Sequence, residues 1–358
     1  FDLVNYDFLL QKFTLYRLSS PSVSFFKSYL ASRMQYVSVN GSCSSEGLIT
    51  HGVPQGSILG PLLFSIYIND LPLHLDDHNV QCNLFADDTT LDVSAKDVHS
   101  INISLQSALD NVSEWCSNNS MIINPSKTES MLISTRQKHQ IGQSPLDLYL
   151  NQQAIKQVHD HKILGVVVDR SLCWQPHINH ISKSVSKNLF LLSKIRPYID
   201  ESTRMLFYDS HIKPHLDYSS TVWDGTSDVN FKKLNSLHRR AAKLINTSPL
   251  AMTTNDKLKT LRMLPLTEQL YFNKCIVMRK ITLGKAPPYL INLFSPAQTR
   301  YAHLRNQLSV PRPRLDIFKT SLSFSGASAW NSLPERLRSL RSLGAFKAQL
   351  HRYLFSKT

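Results

Sequence analysis

Two adjacent carboxylates, Asp87 and Asp88, stand between apolar residues, Leu84 and Phe85 before them and Leu91 and Val93 after. Alternation predicts strands over Val80 to Phe85 and Thr89 to Val93, joined by a tight turn at Ala86-Asp87-Asp88. Neighbouring carboxylates at such a tip repel when both ionise, and a divalent cation relieves the repulsion. Mg²⁺ takes hard oxygen ligands and keeps places for phosphate oxygens, so the chemistry open to this pair is metal-assisted phosphoryl transfer. Taken alone, the pair is better read as an ordinary Asp-rich surface turn, since Asp is a favoured turn residue. Asp76-Asp77 is such a pair without a comparable setting.

A second candidate lies upstream. Leu48 to Gly56 reads as a short strand running into a turn with Gly52, Pro54 and Gly56, after which Ser57 is placed to cap a helix reaching Asp70. A loop flanked by glycine, set before a helix N-terminus, lets its backbone approach bases and phosphates closely. Gln55 and Gly56 are the residues so placed; a plain strand-to-helix turn is the bland alternative. Other candidates are weaker. The pairs His159/His161, His177/His180 and His211/His215 have no nearby cysteine or carboxylate to complete a four-ligand zinc set, so ordinary polar or half-buried histidines are expected. Trp223 and Trp330 could stack bases but fit core anchors better. Neither a hydrolase nucleophile elbow nor a phosphate-cradling Walker loop is legible.

The elements that must carry these residues are mixed at first and helical later. Leu3 to Tyr29 reads as helices broken near Ser19-Ser20-Pro21, Gln35 to Asn40 as a strand, and Ile101 to Asn118 as a helix. Glu129 to Ser134 and Ile163 to Val168 read as further strands, giving an α+β layer. After Asp169 come helical stripes: Ile181, Val185, Leu189, Leu192 and Ile195; then Leu234, Leu237, Ala241 and Leu244; last Leu343, Phe346, Leu350 and Leu354. Breaks are expected near 170 and at Thr247-Ser248-Pro249.

Composition narrows the function classes. The 358 residues are 42% hydrophobic and carry a net charge of +14, which excludes an acidic disordered chain or a collagen. No apolar run reaches the roughly 18 residues of a membrane span. Five scattered cysteines suit free thiols rather than a disulfide frame. The charge is uneven: residues 1–150 are net −6 and residues 151–358 net +20. An acidic front suits carboxylates gathered for metal, and a basic back suits a phosphate backbone, whose neutralisation releases counterions. No targeting signal is legible, and the start at Phe1, without Met, predicts a piece of something longer.

Three ordered motifs then fix a resemblance. His51-Gly52-Val53-Pro54-Gln55-Gly56-Ser57-Ile58-Leu59-Gly60-Pro61-Leu62-Leu63-Phe64, next Ile68-Asn69-Asp70-Leu71-Pro72, and then Phe85-Ala86-Asp87-Asp88-Thr89 resemble the reverse transcriptase domain of non-LTR retrotransposons, in its Jockey-like and chicken-repeat-like animal forms. Asn124-Pro125-Ser126-Lys127-Thr128 and Ile163-Leu164-Gly165-Val166 resemble further motifs of the same domain. Pro214-His215-Leu216-Asp217-Tyr218, Arg239-Arg240-Ala241-Ala242 and Trp330-Asn331-Ser332-Leu333-Pro334 resemble the elements' helical tail. The resemblance implies an α+β fold: a right-hand polymerase palm remnant over 1–170, an antiparallel sheet with packed helices and no fingers. An all-α thumb would follow over 171–247, then a helical basic C-terminal region over 248–358.

It also implies roles. Asp87 and Asp88 would bind two Mg²⁺ ions, with Mn²⁺ as a possible substitute, and Lys127 would assist at the leaving pyrophosphate. Gln55 and Gly56 would lie against template and incoming nucleotide. Phe1 would lie under the nucleotide sugar and exclude a 2′-hydroxyl. Phe85 and Ala86 would pack under the template–primer, and Leu164 and Gly165 would hold the primer end. The partners would be an RNA template, a DNA primer and deoxynucleoside triphosphates; no membrane is implied, and protein partners stay open. The family's bridging aspartate would stand five residues before Phe1, and Asp2 matches a different, non-catalytic position. The expectation is therefore an RNA-directed DNA polymerase fragment, inactive as this chain alone. A non-catalytic nucleic-acid-binding relic is the alternative, and a poorly folding relic that binds nothing is a third.

Overall fold

A computed structural model describes residues 1–77, 79–135, 137–138, 144–248, 252–297 and 306–357. The chain divides into two compact units, Phe1–His159 and Asp160–Thr358.

The first unit mixes helices with short strands. Helix α1 (Tyr6–Leu15) is capped by Asn5, whose side chain accepts from the Asp7 and Phe8 amides, and α2 (Ser20–Leu30) is capped by Ser19. The predicted break at Ser19-Ser20-Pro21 is thus a helix start, with Pro21 in the first turn, where its missing N–H costs no hydrogen bond. Strand β1 (Arg33–Gln35) follows, then β2 (Ser38–Val39), β3 (Ser42–Cys43) and β4 (Gly47–Ile49). The single strand expected over Gln35 to Asn40 is therefore two pieces. β1 pairs with β4, while Asn40 and Gly41, both at positive φ, turn β2 back onto β3.

Helix α3 spans Gly60–Ile68, so it begins later than the expected Ser57 cap. Ser57 closes the preceding loop instead: its hydroxyl donates to the Pro54 carbonyl at 2.7 Å and accepts the Gly60 amide at 2.9 Å. Strands β5 (Gln81–Phe85) and β6 (Asp88–Asp92) form an antiparallel hairpin. Helix α4 (Val98–Asn118) starts earlier than predicted because Asp97 caps it, accepting from Ser100. Its Ala108, Val112 and Trp115 are buried. Beyond it the strand expected over Glu129 to Ser134 shrinks to β7 (Glu129–Ser130). β8 (Tyr149–Leu150) pairs with β9 (Gln153–Ala154), and β10 (Lys156–Gln157) lies parallel to β7.

One cluster, with Val4, Leu9, Phe13, Leu63, Phe64, Tyr67, Leu71 and Trp115 at its centre, takes in Phe1, Cys82, Leu84 and Leu91 at its margin. A smaller one joins Leu132, Leu146, Leu148, Leu150 and Ile155 to α4.

The second unit opens with a hairpin, β11 (Asp160–Ile163) and β12 (Val166–Asp169), and is otherwise helical. The single strand expected over Ile163 to Val168 is thus corrected to a turn flanked by two strands. Helices α5 (Gln175–Ile195), α6 (Glu201–His211), α7 (Lys213–Asp217), α8 (Ser220–Trp223) and α9 (Asp228–Ile245) bury one cluster around Ile178, Leu189, Tyr208, Trp223, Leu234 and Ala241. Its first stripe is the predicted one, with Ile181, Val185, Leu189 and Leu192 all buried. After α10 (Thr254–Thr260) come α11 (Leu266–Thr282), α12 (Leu322–Asn331) and α13 (Leu343–Phe355), which bury Met278, Ala327, Trp330, Phe346 and Leu350 in a second cluster. Trp223 and Trp330 are core residues, as their bland reading had it. The expected break residue Pro249 lies outside the described residues.

The fold is therefore mixed helix and strand. In place of one antiparallel sheet, the described strands form six two-stranded ladders. All five cysteines are free thiols, and no described helix is long and apolar enough to cross a membrane.

Candidate active site

The β5–β6 hairpin pairs Phe85 with Asp88, so its loop is only Ala86 and Asp87. Asp88 is the first residue of β6 rather than part of a three-residue turn. Ala86 has φ 51°, and Asp87 is not among the positive-φ residues. Positive φ at the first loop residue alone is the pattern of a type II′ turn, a position that ordinarily wants glycine. Holding alanine there stores on the order of 1 kcal/mol, which the ladder and the packing of Leu84 and Leu91 must sustain. Both carboxylates are exposed, and the Phe85 ring beside them is 63% exposed. Asn83 donates to Asp92 at 2.8 Å across the ladder, tying its far end.

The N-terminal residues are laid along the glycine loop. The Gly52 amide donates to the Val4 carbonyl at 2.8 Å, the Val53 amide to the Phe1 carbonyl at 3.1 Å, and Asn5 bridges His51. Gly52, at φ 86°, sits against the Asp2 backbone, where a Cβ would meet Asp2 Cα and O at 2.9 Å. The Gln55 carboxamide donates to Asp2 Oδ1 at 2.8 Å. Gly56, at φ 77°, has open space where a side chain would be, so its requirement is conformational. Phe1 packs on Phe64 with ring centroids 4.4 Å apart. Phe1 and the aspartate hairpin thus share one hydrophobic footing, since Phe1, Phe64, Leu84 and Leu91 belong to one cluster.

Lys127 ends a single 3₁₀ turn, Pro125–Lys127, and is exposed. Asn124 shapes that turn by accepting the Ser126 amide and hydroxyl. Ile123, just before it, packs against the same cluster as the hairpin. Leu164 and Gly165 belong to the other unit, as the two-residue loop between β11 and β12, both at positive φ.

The donor set can be weighed on its chemistry. Asp87 and Asp88 are hard oxygen donors, open to solvent, with no lysine or arginine in ion-pair reach among the described residues. They fit a hard divalent cation as two members of a ligand set. No group of three or more His, Cys, Asp or Glu residues able to hold a metal occurs among the described residues.

Sequence reading missed two buried features. Lys12 is almost buried, its Nζ 2.7 and 2.8 Å from the Asp70 oxygens, 2.8 Å from the Tyr67 carbonyl, and over the Tyr67 and Trp115 rings. Burial lowers its pKa and Asp70 opposes that. The Asn69-Asp70-Leu71-Pro72 motif therefore carries a structural ion pair between α1 and the end of α3. His238 is the other: it accepts from the Tyr208 hydroxyl at 3.1 Å through Nδ1 and donates to the Leu264 carbonyl at 3.0 Å through Nε2. Burial depresses its pKa to about 4. The apolar spacing of α9, which puts residue 238 one turn beyond Leu234, was the available signal.

Against known families, residues 1–168 match the reverse transcriptase (RNA-dependent DNA polymerase) family. The chain is 30% identical over 252 residues to the RNA-directed DNA polymerase from mobile element jockey of Drosophila melanogaster, covering 68% of this chain and 27% of that protein. It is 28% identical to a probable RNA-directed DNA polymerase from transposon X-element of the same fly, over 64% of this chain and 25% of that one. A probable RNA-directed DNA polymerase from transposon BS, also of Drosophila melanogaster, is 27% identical over 70% of this chain and 28% of its own length. The chain spans about a quarter of the length of these relatives.

Proposed function

The chain belongs, through residues 1–168, to the reverse transcriptase (RNA-dependent DNA polymerase) family in its non-LTR retrotransposon form, and from that premise we propose that it serves templated nucleotidyl transfer to a primer 3′-hydroxyl. The observation that carries the reading is the pair Asp87 and Asp88 at an exposed, strained hairpin tip built on the unit's main core. These two carboxylates would hold divalent cations, Mg²⁺ or Mn²⁺. Bound there, two such ions supply activation of the attacking hydroxyl and charge compensation at the departing pyrophosphate.

The chain's own residues do the rest. The Gln55–Gly56 loop offers backbone and carboxamide to template and incoming nucleotide. Phe1, braced on Phe64, presents an aromatic face to the sugar and crowds a 2′-hydroxyl. Phe85 and Ala86 support the template–primer from the hairpin tip. Lys127 places a free cation where the pyrophosphate leaves, offsetting its charge or delivering a proton. Leu164 and Gly165 hold the primer end. Residues 1–170 act as the palm, 171–247 as a helical thumb and 248–358 as a basic helical tail.

The test is metal binding. Mn²⁺ affinity, read by electron paramagnetic resonance with a recessed RNA–DNA duplex and the matched nucleotide present, is expected to fall at least about tenfold in Asp87→Ala, roughly the loss of one charged ligand. Unchanged affinity in both Asp87→Ala and Asp88→Ala would remove the proposal's footing. We further propose that these 358 residues alone do not polymerise, because a single hairpin supplies only two carboxylates. Mg²⁺-dependent primer extension by the chain would overturn that.

A second reading has its own support. The 21 residues of α5 hold Lys183, Lys187 and Lys194 on an exposed face and no Asp or Glu. A chain that binds RNA through such faces without catalysis would keep its affinity in Asp87→Ala/Asp88→Ala and show no extension.

A further inference from the structure

The Leu164–Gly165 loop is braced by a side chain more than fifty residues away in sequence. Both loop residues are left-handed, at φ 46° and 86°. In so tight a hairpin the first loop carbonyl is turned out of the ladder, where it needs a partner from elsewhere or from water. The Tyr218 hydroxyl supplies one, donating to the Leu164 carbonyl at 2.6 Å. The same ring closes on the other residue: a Cβ at Gly165 would stand 3.2 Å from Tyr218 Cε1. One side chain thus bears on both loop positions, hydrogen-bonding the carbonyl of Leu164 and leaving little room for a side chain at Gly165.

Tyr218 is itself held at the bend between α7 and α8. Its amide donates to the Pro214 carbonyl at 2.9 Å, and its carbonyl accepts the indole N–H of Trp223 at 3.1 Å, Trp223 being fully buried. Lower on the hairpin, His177 accepts the Val167 amide at 3.2 Å, and buried Asp169 accepts the amides of Ser171, Cys173 and Trp174. Strand, base and tip are therefore tied to the helices of the same unit. Tyr218 is 55% exposed. A tyrosine kept for core stability buries its ring, whereas this one spends its hydroxyl on the loop.

We propose that Tyr218 is a positioning residue that fixes the Leu164–Gly165 loop in the shape that receives a primer 3′ end. The proposal rests on reading that loop as the primer contact, and its test separates the two. The full chain is titrated by fluorescence anisotropy with a labelled DNA primer recessed on an RNA template, and with a blunt duplex of the same length. Tyr218→Phe removes one hydrogen bond and is expected to weaken recessed-end binding about 3- to 10-fold. Blunt-duplex binding stays unchanged, and the melting temperature falls by no more than the loss of one hydrogen bond accounts for. Unchanged recessed-end affinity, or an equal loss on both duplexes, overturns the role of Tyr218. Leu164→Ala tests the premise: if it leaves recessed-end binding intact, the primer-contact reading fails and this proposal falls with it. If Leu164→Ala weakens binding and Tyr218→Phe does not, only the positioning role falls.

Discussion

Single residues in the first unit hold positions that few alternatives could fill. Gly52→Ala would push a methyl group into the Asp2 backbone at 2.9 Å and strain φ 86° at once. Backbone cannot swing aside as a side-chain tip can, so we expect a loss of about 2–4 kcal/mol in urea unfolding. A change below about 1 kcal/mol would show the N-terminal segment to be loosely laid. Asp70 makes a second case. Asp70→Asn leaves the Lys12 ammonium almost buried beside a neutral partner, and should cost about 3 kcal/mol. The double variant Lys12→Met/Asp70→Asn should recover much of that loss, since the uncompensated charge is gone. A double variant no more stable than Asp70→Asn would refute the account.

At the scale of elements, the helices of the second unit are joined through two histidines that must be neutral. His238 bridges α6, through Tyr208, to the carbonyl of Leu264 ahead of α11. His177 of α5 accepts an amide from β12 and lies edge-on to Trp223 of α8. Desolvation lowers both to about 4, with His180 adding to the effect on His177. Above the unfolded value of 6.5 neither state binds the proton and stability is flat. As pH falls from 6.5 towards 4 the unfolded chain gains protons the folded chain refuses, and stability drops by up to about 1.4 kcal/mol per pH unit for each histidine. Urea midpoints followed by tryptophan fluorescence should show this slope over that window. His238→Gln should flatten part of it, and an unaltered slope in that variant would place the titration elsewhere.

For the whole molecule, charge and core are divided alike between the two ends of the chain. Residues 1–150 are net −6 and 151–358 net +20, while separate clusters stabilise Phe1–His159 and Asp160–Thr358. A chain with its carboxylate pair in one unit and most of its cations in the other should bind RNA chiefly through released counterions. Its RNA affinity is expected to fall about tenfold or more between 0.1 and 0.3 M salt, as for a protein neutralising several phosphates. Salt-independent affinity, or no binding at all, would leave the basic half without its proposed partner.

The sequence alone was enough to name catalytic candidates and to set Asp87 at a tight turn between two strands. Carboxylates at a turn, glycines in a loop and apolar stripes at helical spacing are local signals, and local chemistry produces them directly. The tight hairpin at Asp87, the helices α1 and α2, and the first stripe of α5 were legible for that reason. Strand lengths were not. Alternation marks residues able to extend, but pairing ends wherever a left-handed pair such as Asn40-Gly41 or Leu164-Gly165 reverses the chain. Nor could spacing show that Asp70 pairs with Lys12, that His238 links Tyr208 to Leu264, or that Tyr218 grips Leu164. Those contacts join residues 26 to 58 positions apart. Only the folded core brings such partners within hydrogen-bond reach, because burial is what makes an unpaired polar group too costly to leave alone.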